Sequence, residues 1–193
     1  MNEQIERMLD VLEQDILPLT TAGVAAGNKI FGAAVLDRRS LELVVAATNT
    51  ETANPLFHGE VSALNAYWEL TTRPDPKDCL FLSTHEPCSM CLSAITWSGF
   101  DNFFYLFTYE DSRDAFNIPH DLRIMGEVFG LPNGEYNRTN AFWSAASLTE
   151  SVLALPSVQR SESERRIEEL KRSYGELSDR YQASKGSATI PLA

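Results

Sequence analysis

Apolar residues at Ile5, Met8, Leu9, Leu12 and Ile16 recur every three or four positions, which predicts an amphipathic first helix. The period then changes. Residues 31–36 (Phe-Gly-Ala-Ala-Val-Leu) and 41–47 (Leu-Glu-Leu-Val-Val-Ala-Ala) read as two strands, and the short polar Asp37-Arg38-Arg39-Ser40 between them predicts a hairpin. After a loop over 49–55, residues 58–70 read as a helix whose buried face carries Val61, Leu64 and Trp68. The run Arg73-Pro74-Asp75-Pro76-Lys77-Asp78 breaks the chain before a third strand over 79–84. A further helix is expected to start near Pro87-Cys88, because proline suits a first helical turn, and the aromatic-rich 102–107 reads as the next strand.

Strand, strand, helix, strand, helix, strand implies an α/β fold with helices packed on a mixed sheet. Farther on, 112–129 is expected to contain helix and 142–155 another. A polar break over 156–163 introduces a charged final helix, for which Ser161 and Glu164 fit a capping box. Ile167, Leu170, Tyr174, Leu177 and Tyr181 form one stripe at heptad spacing, suited to core or dimer packing. Residues 185–193 are expected to fray. The pattern divides the chain into a domain over 1–155 and a helical extension over 156–193 that packs on the core or on a partner subunit.

A chain of 193 residues, 44% hydrophobic, is long enough for one substantial core. Its 16 Lys+Arg against 27 Asp+Glu give a net charge of -11, which argues against nucleic acid, whose binding rests on cationic contacts, and favours a small-molecule partner. The acidic, amphipathic N-terminus does not resemble a signal peptide, and no apolar run reaches membrane-spanning length, so a cytoplasmic protein without a membrane partner is expected. Cys79, Cys88 and Cys91 are odd in number and uneven in spacing, which suits a metal site better than a disulfide framework.

The residues that carry chemistry are His58-Gly59-Glu60 and Glu86-Pro87-Cys88-Ser89-Met90-Cys91. Imidazole and thiolate are ligands that zinc prefers. Cys88 and Cys91, three apart in a first helical turn, present both sulfurs on one side, and the positive end of that helix favours their thiolate forms. His58, opening the other helix, supplies a third ligand if the two helix ends face each other. Three protein ligands leave a fourth position for water, the mark of a catalytic zinc, and the metal lowers that water's pKa to about 7. Glu60 is then placed to relay protons without ligating. The H-x-E with P-C-x-x-C pattern is the signature of zinc deaminases. A redox Cys pair gives no role to His58 or Glu60, and a structural zinc would need a fourth ligand from His85 or Cys79.

These residues resemble the cytidine deaminase-like superfamily, in the branch of guanine deaminases, cytosine deaminases and tRNA adenosine deaminases. The likeness runs from about Phe31 to Phe107 and rests on Phe31-Gly-Ala, Asn49, Asn54-Pro55-x-x-His58-x-Glu60-Val61 and Glu86-Pro-Cys-x-Met-Cys-x-x-Ala-Ile95. It implies a three-layer α/β/α sandwich with a central mixed five-stranded sheet, and one zinc ion per chain at His58, Cys88 and Cys91. It implies further that Glu60 is the proton shuttle, that Asn49 and the Gly59 amide contact substrate, that the Cys88 amide faces the reacting oxygen, and that the protein is a homodimer. Gly59 in place of the commoner alanine resembles cytosine deaminases, whereas Glu86 resembles guanine and tRNA adenosine deaminases.

The activity implied is hydrolytic release of ammonia from a free nucleobase or small nucleoside, guanine first and cytosine or a related heterocycle second. A tRNA adenosine deaminase is the alternative, and a catalytically silent deaminase-like scaffold is an alternative of another class. Phe31 and Trp97 are candidates for the wall of a ring-stacking pocket, or for core packing. His85, His120, Asp111, Asp114 and Asp121 are further candidates for the pocket, and Cys79 reads as a buried strand residue.

Overall fold

The computed structural model describes residues 2–187 and 190–192. The first helical stripe is realised as α1 (Asn2–Val11) and α2 (Leu17–Ala25), joined without a break by a π-helical segment, Leu12–Ile16. Five strands follow in the order β2-β1-β3-β4-β5: β1 (Gly32–Asp37), β2 (Leu43–Thr48), β3 (Cys79–His85), β4 (Asn102–Phe107) and β5 (Ser144–Ser147). β1 pairs antiparallel with β2 and β3, and β3, β4 and β5 run parallel, so the sheet is mixed. The hairpin predicted at 37–40 forms, with Asp37 Oδ1 accepting from the amides of Arg39 and Ser40.

The sheet is buried on both faces, and strand alternation sorts its residues. Ala34, Leu36, Leu80, Leu82 and Leu106 face one cluster, formed with the N-terminal helices, α7 (Leu148–Leu153) and α8 (Ser157–Ser184). Ala33, Val35, Phe81, Phe103 and Tyr105 face the other, formed with α3 (Gly59–Glu69) and α4 (Ser89–Trp97). Successive side chains point to opposite sides of a strand, which makes the architecture a three-layer α/β/α sandwich. The stripe Ile167, Leu170, Tyr174, Leu177 and Tyr181 of α8 is buried in the first cluster.

Several expectations are corrected. The helix expected within 112–129 is two helices, α5 (Tyr109–Asp114) and α6 (His120–Phe129). Asn117, in the left-handed region at φ 55°, and Pro119 turn the chain between them. The helix expected over 142–155 begins as strand β5, because Ser144-Ala145-Ala146-Ser147 pairs with the edge of β4, and only then becomes α7. The final helix starts at Ser157, directly after Pro156, so Ser161 and Glu164 lie inside it and form no capping box; Glu164 pairs with Arg160 instead, at 3.1 Å. The frayed end is also revised: residues 185–187 form a 3-10 turn and Ile190 is buried. Ala188, Thr189 and Ala193 lie outside the described residues.

Candidate metal centre and pocket

The site lies where the N-termini of α3 and α4 meet. His58 and Cys88 are the residues immediately before these helices, both extended, with ψ of 161° and 168°. Extended backbone at that position turns each side chain away from its helix axis. A close approach of main chain fixes α3: a Cβ added to Gly59 would lie 2.6 Å from Gly32 Cα. Glycine at 59 is therefore a packing requirement of the helix start against β1. On the other helix, Tyr109 donates its hydroxyl to the Pro87 carbonyl at 2.6 Å and pins the turn before Cys88.

His58, Cys88 and Cys91 converge. Cys88 Sγ and Cys91 Sγ are 3.5 Å apart, and His58 Nδ1 lies 3.6 Å from the first and 3.8 Å from the second. Zn–S bonds of about 2.3 Å and a Zn–N bond of about 2.0 Å in a tetrahedron separate the sulfurs by about 3.8 Å and each sulfur from nitrogen by about 3.5 Å. The three donors lie within about 0.3 Å of these spacings, so the residues fit a zinc ion and leave one tetrahedral position open. Glu60 faces the same point without joining the set. Its Oε1 accepts from Ser83 Oγ at 2.7 Å, and its Oε2 lies 3.3 Å from Cys91 Sγ.

The electrostatics follow from burial and proximity. Hydrogen bonding from Cys91 holds the Cys88 thiol well below its ordinary value, with His58 adding to the effect against burial. Cys91 moves the opposite way, raised by its contact with the Cys88 sulfur and by burial. Burial works against protonation of His58, but the Cys88 sulfur, with Glu60 and Glu51 behind it, raises the ring to about 9. Glu60 is raised by burial and by Cys88.

Beside these donors opens a cavity of about 230 Å³. Phe31, Leu56, Ile118, Ile124, Ile190 and Leu192 give it apolar walls; Lys29, Glu51, His120 and Asp121 bring charge or hydrogen bonding to it. Phe31 thus lines the pocket, as does Asp121, whose carboxyl is raised by burial and by Cys88. Asp111 and Asp114 are engaged elsewhere: Asp111 caps α5 with Thr108, and Asp114 pairs with Arg113 at the surface. Trp97, proposed as a possible wall, is 90% exposed at the end of α4 and does not line the cavity. His85 is enclosed within the core, and Cys79 is a buried strand residue.

Asn49 is fully buried, with its amide engaged at both ends. Its Oδ1 accepts from the Gly59 amide at 2.5 Å, and its Nδ2 donates to Glu51 Oε2 at 2.6 Å. A substrate contact by the Gly59 N–H would require that first hydrogen bond to open, whereas Asn49 keeps a second N–H and a second lone pair. Glu86, buried, faces a second cleft, where it accepts from Tyr136 at 2.8 Å and Arg138 at 3.1 Å. Lys29, Glu51 and Ser83 are site residues that the sequence motifs do not reach, because none stands at a fixed spacing from the ligands.

Comparison with known proteins agrees with this geometry. The chain is 34% identical over 91 residues to the tRNA-specific adenosine deaminase of Rickettsia felis, and 31% identical over 99 residues to the guanine deaminase of Bacillus subtilis. These matches span 45% and 50% of this chain, and 63% of the length of either relative. A structure solved in complex with 2,6-diaminopurine aligns over 95% of this chain and 83% of its own, at 22% identity and a TM-score of 0.53. A mutant protein solved in complex with 8-azaguanine aligns over 88% and 86%, at 21% identity and a TM-score of 0.51. At such identities the likeness is one of fold. Residues 10–107 match the pattern described as the cytidine and deoxycytidylate deaminase zinc-binding region, and with the donor set they enclose, they make the chain a member of that deaminase family.

Proposed function

We propose that the protein is a zinc-dependent hydrolytic deaminase acting on a free nucleobase or small nucleoside, guanine first and cytosine or a related heterocycle second. The observation that carries this reading is Glu60: a buried carboxylate turned toward the three-donor set, held from behind by Ser83, and not itself one of the donors. Zinc, when bound by His58, Cys88 and Cys91, supplies a Lewis acid that brings the pKa of a water molecule to about 7. The water oxygen would bond to the amine-bearing ring carbon while Glu60 carries one of its protons to the ring nitrogen and then the other to the departing amine, so that the C–N bond breaks, ammonia leaves and a ring carbonyl remains. The cavity's apolar walls, Phe31 among them, suit a flat heterocycle and exclude bulk water.

The guanine deaminase relative supports the free base. The tRNA-specific adenosine deaminase relative favours a second reading, in which the target adenine belongs to an RNA loop. The net charge of -11 weighs against that partner. The same reading takes the protein as a cytoplasmic homodimer, and a mass measurement in solution tests the association.

The experiment is ammonia release from zinc-loaded protein given guanine, cytosine, adenine, their nucleosides and an anticodon-loop RNA. Release from one free base is expected, and release from the RNA alone would replace the first reading by the second. The Glu60→Gln variant is expected to lose turnover by at least a hundredfold while retaining one zinc per chain. Loss of the metal in that variant would make Glu60 a ligand and overturn its assignment as the proton carrier. Silence of the intact protein on every substrate, with zinc bound, would favour a non-catalytic deaminase-like scaffold.

A further inference from the structure

The loop between β2 and α3 buries a carboxylate that the proposed reaction does not use. Glu51 is 3% exposed, and each of its oxygens is engaged. Oε1 accepts from Lys29 Nζ at 2.7 Å, and Lys29 is itself 4% exposed. Oε2 accepts from Asn49 Nδ2 at 2.6 Å, and Asn49 in turn accepts from the Gly59 amide. Oε1 also stands 3.7 Å from His58 Nε2, an ion-pair contact longer than a hydrogen bond.

The orientation of the His58 ring gives this arrangement its meaning. Nδ1 faces both sulfurs, at 3.6 and 3.8 Å, so Nε2 is the nitrogen turned away from the metal position, and Glu51 is what it meets. Metal-bound imidazoles are held in one tautomer and one orientation by a partner on their other nitrogen. Glu51 also reaches the residue after His58, through Asn49. One carboxylate therefore meets the start of α3 twice, by an ion-pair contact at the ring and, through Asn49, by a hydrogen-bonded link to the main chain. A buried ion pair is a poor source of stability against an apolar pair of the same volume. Its position beside the donor set is better explained by what it orients.

We propose that Glu51, paired with Lys29, is a positioning residue of the metal centre that aims His58 Nδ1 at the position shared with Cys88 and Cys91. The proposal rests on the reading of those three residues as zinc ligands. Asn49 is part of the same device: it relays the carboxylate to Gly59.

The test is zinc affinity, measured by competition with a chromophoric chelator, on full-length protein. Lys29→Met/Glu51→Met removes both charges together and leaves no buried ion unpaired. It is expected to bind zinc 10 to 100 times more weakly than the parent. Lys29→Met/Glu51→Gln returns a neutral oxygen to the place beside Nε2, and most of the affinity is expected to return. Urea midpoints of the metal-free proteins separate orientation from folding: the two double variants are expected to match each other. A Met/Met variant that binds zinc within twofold of the parent overturns the proposal, including the case in which only KM changes and Glu51 is a substrate contact. A loss that the Gln variant fails to recover, with the midpoints falling in step, also overturns it. If the parent takes up no zinc, or Cys88→Ser binds it equally well, the ligand assignment falls and this proposal falls with it.

Discussion

His85 ends β3 inside a shell of rings from Phe31, Phe107, Phe116 and Tyr174, with ring centroids 4.6 to 5.6 Å away. Its Nδ1 bonds with Thr84 Oγ1 at 2.8 Å, while Nε2 is buried without a hydrogen-bond partner. Burial lowers its pKa from the ordinary 6.5 to about 3. A depressed histidine favours the fold only while neutral in both states, so its contribution is complete above pH 6.5 and is lost as pH falls from there toward 3. Between pH 7 and pH 5 the loss is about 2 kcal/mol, at about 1.36 kcal/mol per unit. Urea unfolding at the two values should show a pH difference about that much smaller in His85→Gln; an unchanged difference would show that the ring protonates in place. At this scale the sequence was legible where residues stand in fixed spacing. His58 and Glu60, and Cys88 and Cys91, are near neighbours at helix starts, and their types name the chemistry. Lys29 and Glu51 are 22 positions apart on separate loops, a pairing that only the folded chain creates.

Arg166 joins α8 to the N-terminal helical run. Its guanidinium is 11% exposed and donates to Glu6 and Glu13 at 2.8 Å and to Asp10 at 2.7 Å, three carboxylates along one face of that run. Removing the cation would leave three like charges facing one another with their solvent half excluded. Arg166→Met is expected to lower stability by about 2 kcal/mol, read from the urea midpoint, with part of the loss recovered in high salt by screening. Arg166→Lys should recover only part, because an ammonium lacks the planar fork. A midpoint equal to the parent's would show that the cluster contributes no stability. The elements that eluded sequence reading share a cause. β5, Ser-Ala-Ala-Ser, has no β-branched or aromatic residue, and its strand character comes from the edge of β4. The start of α8 was displaced because Ser161 and Glu164 imitate a cap inside a helix that Pro156 had already set off. Elements with strong periodicity, such as β4 and α3, were placed within a residue or two.

At the scale of the whole molecule, the last described residues contribute to the cavity wall. Ile190, Pro191 and Leu192 line the same cavity as Cys88 and His120. Deleting residues 190–193 is expected to speed alkylation of Cys88 by iodoacetamide in metal-free protein at least threefold, since Cys88 is only 8% exposed in the intact chain. The urea midpoint should move little, because the main core lies elsewhere. Unchanged alkylation would mean that the segment does not restrict access. Gly32 and Gly59 lie in close contact. There β1 and α3 meet main chain to main chain, so no rotamer lies between the sheet and the residue that follows His58. Replacements in the hydrophobic clusters would therefore meet main chain at the His58 side of the centre, whereas Cys88 and Cys91 ride on α4, which packs through Leu92 and Ile95 side chains. Core replacements under α4 are the ones expected to move the two sulfurs relative to His58.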